Sequence, residues 1–427
     1  MLLTLVALAV LPAFPGAEGF GANTPGGRGG RVIVVTSLAD DGPGTLRAAV
    51  EAAGPRIVVF RVGGLIDLVK PLRITEPFVT IAGQTAPGDG ICLRGSELSI
   101  QTHDVVVRHL RARPGDILGA EVDAVNIGGA SHDVILDHVS ATWSVDEALS
   151  PSGAIHNITV QWCLIGESLR KSVHKKGEHG YGSLVRASGG VTLHHNLWVK
   201  NTARNPRLGD NYGRPPFPLF DVRNNVMYNW GGICSGMTGD ELRANYVGNY
   251  LKPGPDSSNR PPIVLTETAH VSYFVDGNVV EGRPEQTRDA VAMFSPGKGV
   301  VTLVSAAFDT APVHTTTAQI AYAEVLDHVG ATLPARDSVD RRIIEEARKG
   351  HGRIIDSQKE VGGWPAYHAG VPFADADGDG MPDAWETAHG LNPRDASDAA
   401  KPGAGGYSNV ETYLNSLTAP VPPRSRR

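Results

Sequence analysis

The chain has 427 residues, a formal net charge of −6 and 41% hydrophobic residues, a length that allows several domains or one long all-β domain. Glycine (51) and proline (30) supply about 19% of the chain, against a usual ~12%. Neither suits a helix interior, so a helical bundle is excluded and frequent turns are expected. Three cysteines, an odd number, exclude a disulfide framework. The mild acidity carries no nucleic-acid signature.

In chain order, residues 1–12 (MLLTLVALAVLP) are almost wholly apolar. The run is too short to span a bilayer and suits a signal-peptide core, although no Lys or Arg precedes Arg28. No later segment reads as membrane-crossing, so the expectation is an exported, soluble protein. Residues 44–53 (GTLRAAVEAA) form the only early helical pattern, with Leu46, Ala49 and Val50 on one face and Gly54 as its stop. Short β-type runs follow at 57–60, 79–82, 91–93, 98–100, 105–107, 134–136, 158–160, 191–193, 226–228 and 273–275, most bounded by Gly, Asn, Asp or Pro. Cys163, inside one of them, reads as a small buried hydrophobe.

The segments HDVVVRHL (103–110), HDVILDHV (132–139), HNITVQWC (156–163), GVTLHHNL (190–197), VRNNVMYN (222–229) and DGNVVEGR (276–283) form a loose repeat. Each is a polar turn, a short β run and a polar step. A period drifting between roughly 20 and 35 residues predicts solenoid coils with insertions in one set of loops. The fold expected is an all-β parallel β-helix over 13–300, the helix at 44–53 covering its open end. A helical flank or linker occupies 301–373, with helices at 317–329 and from an N-cap at Ser338 to Gly350. A small module spans 374–416, and 417–427 reads as a disordered tail.

Segment 116–147 holds seven acids and no Lys or Arg, whereas 170–223 holds ten Lys or Arg against three acids. Consecutive coils of a solenoid stack, so an acidic coil should abut a basic one. Clustered carboxylates repel unless a cation neutralises them, and Ca²⁺ takes such oxygen ligands. A basic surface beside it suits a polyanion. Mutual salt-bridging between the coils explains the charge counts equally well.

The order of residues goes further. VDAVNIGGASHDVILDHVSATWSVDE, HKKGEHGYGSL, LHHNLWVKNTARNPR and NNVMYNW together resemble polysaccharide lyase family 1, the pectate lyases. The resemblance implies a right-handed parallel β-helix, a Ca²⁺-binding cleft on one sheet, and eliminative cleavage of α-1,4-galacturonan. Position by position, it makes Asp123 and Asp146 calcium ligands and Glu121 a weaker one. Ser150 stands where another aspartate is expected, with Glu147 as the compensating acid. Lys176 matches the substrate-contacting lysine, with Lys175 beside it. Arg204, in ARNPR, matches the base, and Arg207 a supporting arginine. Gly209 stands where another arginine is usual, a role left absent or filled by Arg214. The partner implied is an acidic polysaccharide, met by a monomer.

The chemistry is coherent. Removing a proton alpha to a uronate carboxylate builds negative charge, which a divalent cation and Lys/Arg contacts can stabilise. Arginine normally stays protonated, so a base role requires desolvation and neighbouring cations; failing that, Lys176 is the base and Arg204 an anchor. The blocks of a polygalacturonase-type hydrolase are not found, and a non-catalytic carbohydrate binder is the other alternative.

Asp137, His138, His194 and His195 read as ordered residues stacked along the solenoid. Asn196, Asn224 and Asn225 read as a turn ladder, and Trp143, Trp162, Trp198 and Trp230 as core. In ADADGDGMPDAWETAHGLNP, the residues Asp375, Asp377, Asp379, Gly380, Met381, Asp383 and Glu386 fit positions 1, 3, 5, 6, 7, 9 and 12 of a calcium loop. The loop resembles those of thrombospondin type 3 or dockerin repeats, with Glu411 as an extra ligand.

Overall fold

The computed structural model describes residues 11–265, 270–295 and 299–418. The leader proposed for 1–12 and the tail from 417 fall almost wholly outside them. Every ladder between named strands is parallel, and the strands form three faces of one coil. The first face is an eleven-stranded sheet beginning at Arg31–Val35 and ending at Val300–Leu303. The second is nine-stranded. The third has a four-stranded part ending at Leu149–Pro151 and a five-stranded part beginning at Leu184–Ala187. Single bridges Glu147–Tyr181 and Ser152–Arg186 join these parts into one face. The architecture is the expected all-β parallel β-solenoid.

The sequence pattern explains the faces. In Leu72–Ile74 and Val125–Ile127 the outer residues are buried in the coil and the middle ones, Arg73 and Asn126, point outward. Corners use left-handed backbone. His109, His138, Trp162, His195 and Asn224 all have φ between 50° and 54° at the first-to-second-face corner. Such a conformation is costly for a residue with Cβ. Stacking along the axis helps offset it: His109 on His138 (4.8 Å), His138 on Trp162 (6.0 Å) and Trp162 on His195 (4.4 Å). The next residue builds the asparagine ladder. The Oδ1 atoms of Asn196, Asn225, Asn249 and Asn278 each accept the backbone N–H one coil below. Asn224 stands outside this ladder, because its amide bonds Gly248 and Thr316 instead. His194 ends its strand and His195 turns the corner, and their Nδ1 atoms lie 2.9 Å apart.

Helix α1 (Leu46–Val50) is shorter than the predicted 44–53. Below it the buried Arg56 guanidinium donates to the carbonyls of Ala49, Gly54, Pro77, Val50 and Glu76. Helix α2 (Pro284–Arg288) lies near the far end. Helices α3 (Ala318–His328) and α4 (Ser338–Lys349) cover the second face through Val325, Leu326, Val339, Ile343 and Ile344. Asp337, not Ser338, caps α4: its carboxylate accepts Asp340 N–H while pairing with the buried Arg113. Helices α5 (Asp383–Ala388) and α6 (Asn409–Ser416) belong to the C-terminal module, which packs with residues 13–30 over the first face.

Two of the three outer faces are therefore covered. The third presents polar residues and the loops that precede its strands.

Candidate active site

Four successive loops leading into the third face carry the functional candidates. Asp123 precedes Val125–Ile127, and Asp146 with Glu147 precedes Leu149–Pro151. Lys175, Lys176 and Tyr181 precede Leu184–Ala187, and Arg204 precedes Arg207–Asp210. Because the coils stack in register, the acidic loops meet the basic ones side by side.

Asp123, Asp146 and Glu147 offer oxygens within 4.8 Å of one another. Asp123 is held by the Glu147 backbone N–H at 3.0 Å. The Arg204 guanidinium contacts the Glu147 carboxylate directly and lies 4.1 Å from the Tyr181 ring centre. Arg204 itself has φ +62°, and its guanidinium reaches Glu147 on the neighbouring coil. Burial pushes the Asp123 carboxyl well above its usual range, and the Glu147 charge adds to this. Burial likewise pushes Glu147 up to about 7, against the pull of Arg204. Three crowded oxygen donors with excess negative charge are a donor set that fits a hard divalent cation.

The remaining positions scatter. Glu121 lies outside this group of three and accepts the Lys175 N–H at 2.6 Å. Lys175 and Lys176 are exposed on their loop. Arg207 points outward from the third face, since Leu208 beside it is buried in the core. Arg214 is exposed on the turn joined by the Asn211–Arg214 bridge. The Ser150 hydroxyl accepts the Leu184 N–H at 3.2 Å, so it joins the two parts of the third face. Gly209 pairs with Arg186 on one side, and a Cβ there would meet Thr238 on the other, its Cγ2 at 2.7 Å and its carbonyl oxygen at 2.9 Å. The next coil thus crowds out a side chain where another arginine was expected.

Three residues were missed from sequence. His174 and His179 stack at 3.5 Å, and their Nε2 atoms lie 3.7 and 3.1 Å from Asp146. His174 Nδ1 accepts the Lys176 N–H at 3.1 Å. The pair thus ties Asp146 to the lysine loop. Tyr181 supports Arg204. All three lie in HKKGEHGYGSL, a loop whose aperiodic spacing gives no sign of which side chains converge.

Asp137, with His109 and His138, forms another group of metal-ligand type. Its oxygens already serve Arg108, His138 and Gln161, so it is a structural hub. A cavity of about 370 Å³ beside it, lined by Trp162, His138 and His195 among others, shares no residue with the carboxylate group. Trp143, Trp198 and Trp230 are core residues, whereas Trp162 is only partly buried.

In the C-terminal module Asp375, Asp377 and Asp379 converge, and Asp379 also joins Glu386 and Asp398. Asp383 lies outside these groups: it starts α5 and accepts the Ala376 N–H at 2.7 Å. Glu411 pairs with Arg28 at 2.8 Å and closes a capping box with Ser408, so it is no ligand here. Asp398 was missed because it lies beyond the loop motif.

No protein-family model matches the chain. The chain is 38% identical over 423 residues to the probable pectate lyase C of Aspergillus terreus, covering 96% of this chain and 95% of that one. It is 37% identical over 420 residues to that of Neosartorya fischeri, covering 96% and 95%. A thermostable pectate lyase superposes with TM-score 0.52 at 16% identity, over 77% of this chain and 100% of that one. The major allergen of cedar pollen does so with TM-score 0.50 at 19% identity, over 74% and 93%. A fold shared with a solved pectate lyase, and a likeness to fungal pectate lyases at 38% identity over nearly the full length of both chains, make this chain a member of the pectate lyase family and a polysaccharide lyase.

Proposed function

We propose that the enzyme is a secreted, monomeric, calcium-dependent lyase that cleaves α-1,4-galacturonan by β-elimination in the cleft beside the third face. The observation that carries this reading is one juxtaposition: three crowded carboxylates with Arg204 in contact with one of them. Asp123, Asp146 and Glu147 hold the calcium ion. Bound there, calcium supplies a Lewis acid that neutralises the uronate carboxylate and the charge developing next to it. Arg204, steadied by Glu147 and Tyr181, takes the alpha proton from C5 of that uronate; the freed electron pair forms the C4–C5 double bond as the C4–O bond breaks, and the departing sugar oxygen takes a proton from water. Lys175, Lys176, Arg207 and Arg214 bind neighbouring uronates as a polyanion. An arginine can take a proton only in its neutral form, so turnover should favour alkaline pH. The acidic loop 375–386 binds a separate calcium ion in the C-terminal module.

Incubation with polygalacturonate, with and without chelator, tests this. The expected product is an ultraviolet-absorbing unsaturated uronide, formed only when calcium is present. New reducing ends without that absorbance would indicate a hydrolase, and intact polymer would indicate a binder; either outcome overturns the proposal.

A further inference from the structure

The carboxylates of the C-terminal module are unusually exposed to one another and hidden from water. Asp379, Glu386 and Asp398 are 3%, 0% and 5% exposed. Asp377, Asp379 and Asp398 each use one oxygen to accept a backbone N–H, from Asp379, Met381 and Asn392 respectively. Their other oxygens, together with both Glu386 oxygens, are buried without a hydrogen-bond partner. Leaving a buried carboxylate oxygen unpaired is costly. The arrangement of single oxygens from aspartates and two from a glutamate is the donor set of a hard cation.

The position of this group matters as much as its composition. Asp375–Glu386 belongs to the loop and helix α5, whereas Asp398 belongs to the connection into α6. A cation gripping both would close the module on itself. Just outside it, Met381, Val410, Tyr413 and Leu414 form one apolar cluster with Ile57, Val59 and Ala82, the outward residues of the first coils. Gly380 lies so close that a Cβ there would meet Val32 at 3.0 Å and Val59 at 3.1 Å. From α6, Glu411 pairs with Arg28, whose guanidinium also donates to the carbonyls of Pro12 and Ala13. The module therefore holds both the first coils and the N-terminal segment.

We infer that Asp398 completes the calcium site of the loop 375–386, and that this ion latches the C-terminal module over the N-terminal coils, acting on stability and not on turnover. The inference rests on the calcium reading of that loop and adds to it a ligand and a consequence.

The test uses the full chain with Asp123→Asn and Asp146→Asn, which silence the cleft. Calorimetric titration with calcium should show one remaining site. Adding Asp398→Asn should weaken it at least tenfold, whereas Asp395→Asn, in the same connection, should not. Hydrogen exchange in 57–59 and 409–416 should accelerate at least tenfold on chelation. Loss of all calcium binding in the cleft-silenced chain overturns the calcium reading of the loop. Calcium bound with unchanged affinity after Asp398→Asn removes that ligand. Binding present but exchange in 57–59 unmoved by chelation removes the latch alone.

Discussion

Arg204 meets Glu147 because two loops from different coils are held in register by the bridges Glu147–Tyr181 and Tyr181–Ala203. Arg204→Ala should lower turnover about 10²–10⁴-fold, the range of a lost proton-transfer group, with an unchanged circular dichroism spectrum. Activity like that of the parent would remove Arg204 from the chemistry. The Glu147 carboxyl, raised to about 7 by burial, gives a second expectation. A raised acid holds its proton in the folded protein up to about 7, whereas in the unfolded chain it loses it near ~4.3. The metal-free fold therefore loses stability as pH rises through that window. A cation requires the ionised form, so binding releases protons. Cleft affinity for calcium should climb from about pH 5 and level above about pH 7, read by titration of a chain in which Asp379→Asn, Glu386→Gln and Asp398→Asn together remove the module site. A flat profile would show that Glu147 is not a ligand.

At the scale of elements, the ladder and the flank each make a claim. Asn225 serves the Asn196 backbone, the Leu193 carbonyl and Asn249 at once. Asn225→Ala should cost about 2–4 kcal/mol in denaturant unfolding, because it strands several buried groups. A loss within a few tenths would show that the ladder is ornamental. The flank is fastened by Glu167. Burial would raise its carboxyl, but Lys200 and a two-pronged Arg342 from α4 at 2.7 Å outweigh that and hold it at about 2. A lowered acid contributes stability above its unfolded value of ~4.3 and loses it as pH falls through about 2, a difference of about 3 kcal/mol. Melting temperatures between about pH 5 and pH 2 should fall less steeply for Glu167→Gln than for the parent. Superimposable acid limbs would exclude the pair as the fastener. Much of this level was legible: strands at 79–82, 98–100 and 226–228 and helix α3 were read nearly to the residue, since apolar runs bounded by Gly and Asn are local signals. The repeat slipped, however. Its first four segments lie on first-face strands, but VRNNVMYN and DGNVVEGR straddle the corner. Leu219–Arg223 and Glu241–Val247 passed unnoticed as strands.

For the whole molecule, stacking decides how it comes apart. Cys92, Cys163 and Cys234 are all buried free thiols spread along the coil. A thiol reagent should label none in the native protein and all three in denaturant. In partial denaturant Cys163 should be labelled last, because a solenoid frays from its ends. Early labelling of Cys163, followed by mass spectrometry, would show that the centre opens first.

The sequence by itself determined the coil: turn residues, short β runs and the segregation of acids from bases are local properties, and parallel stacking follows from them. It also singled out Asp123, Asp146, Glu147 and Arg204 through the order of their motifs, and the structure places these four side by side. Only the tertiary structure decided which of these touch. It set Glu121 and Asp383 on backbone N–H groups, packed Thr238 against Gly209, and brought Asp398 to the acidic loop while sending Glu411 to Arg28. The reason is physical: such contacts join residues from different coils or beyond one motif, and their partners are set by register and burial, which no local spacing encodes.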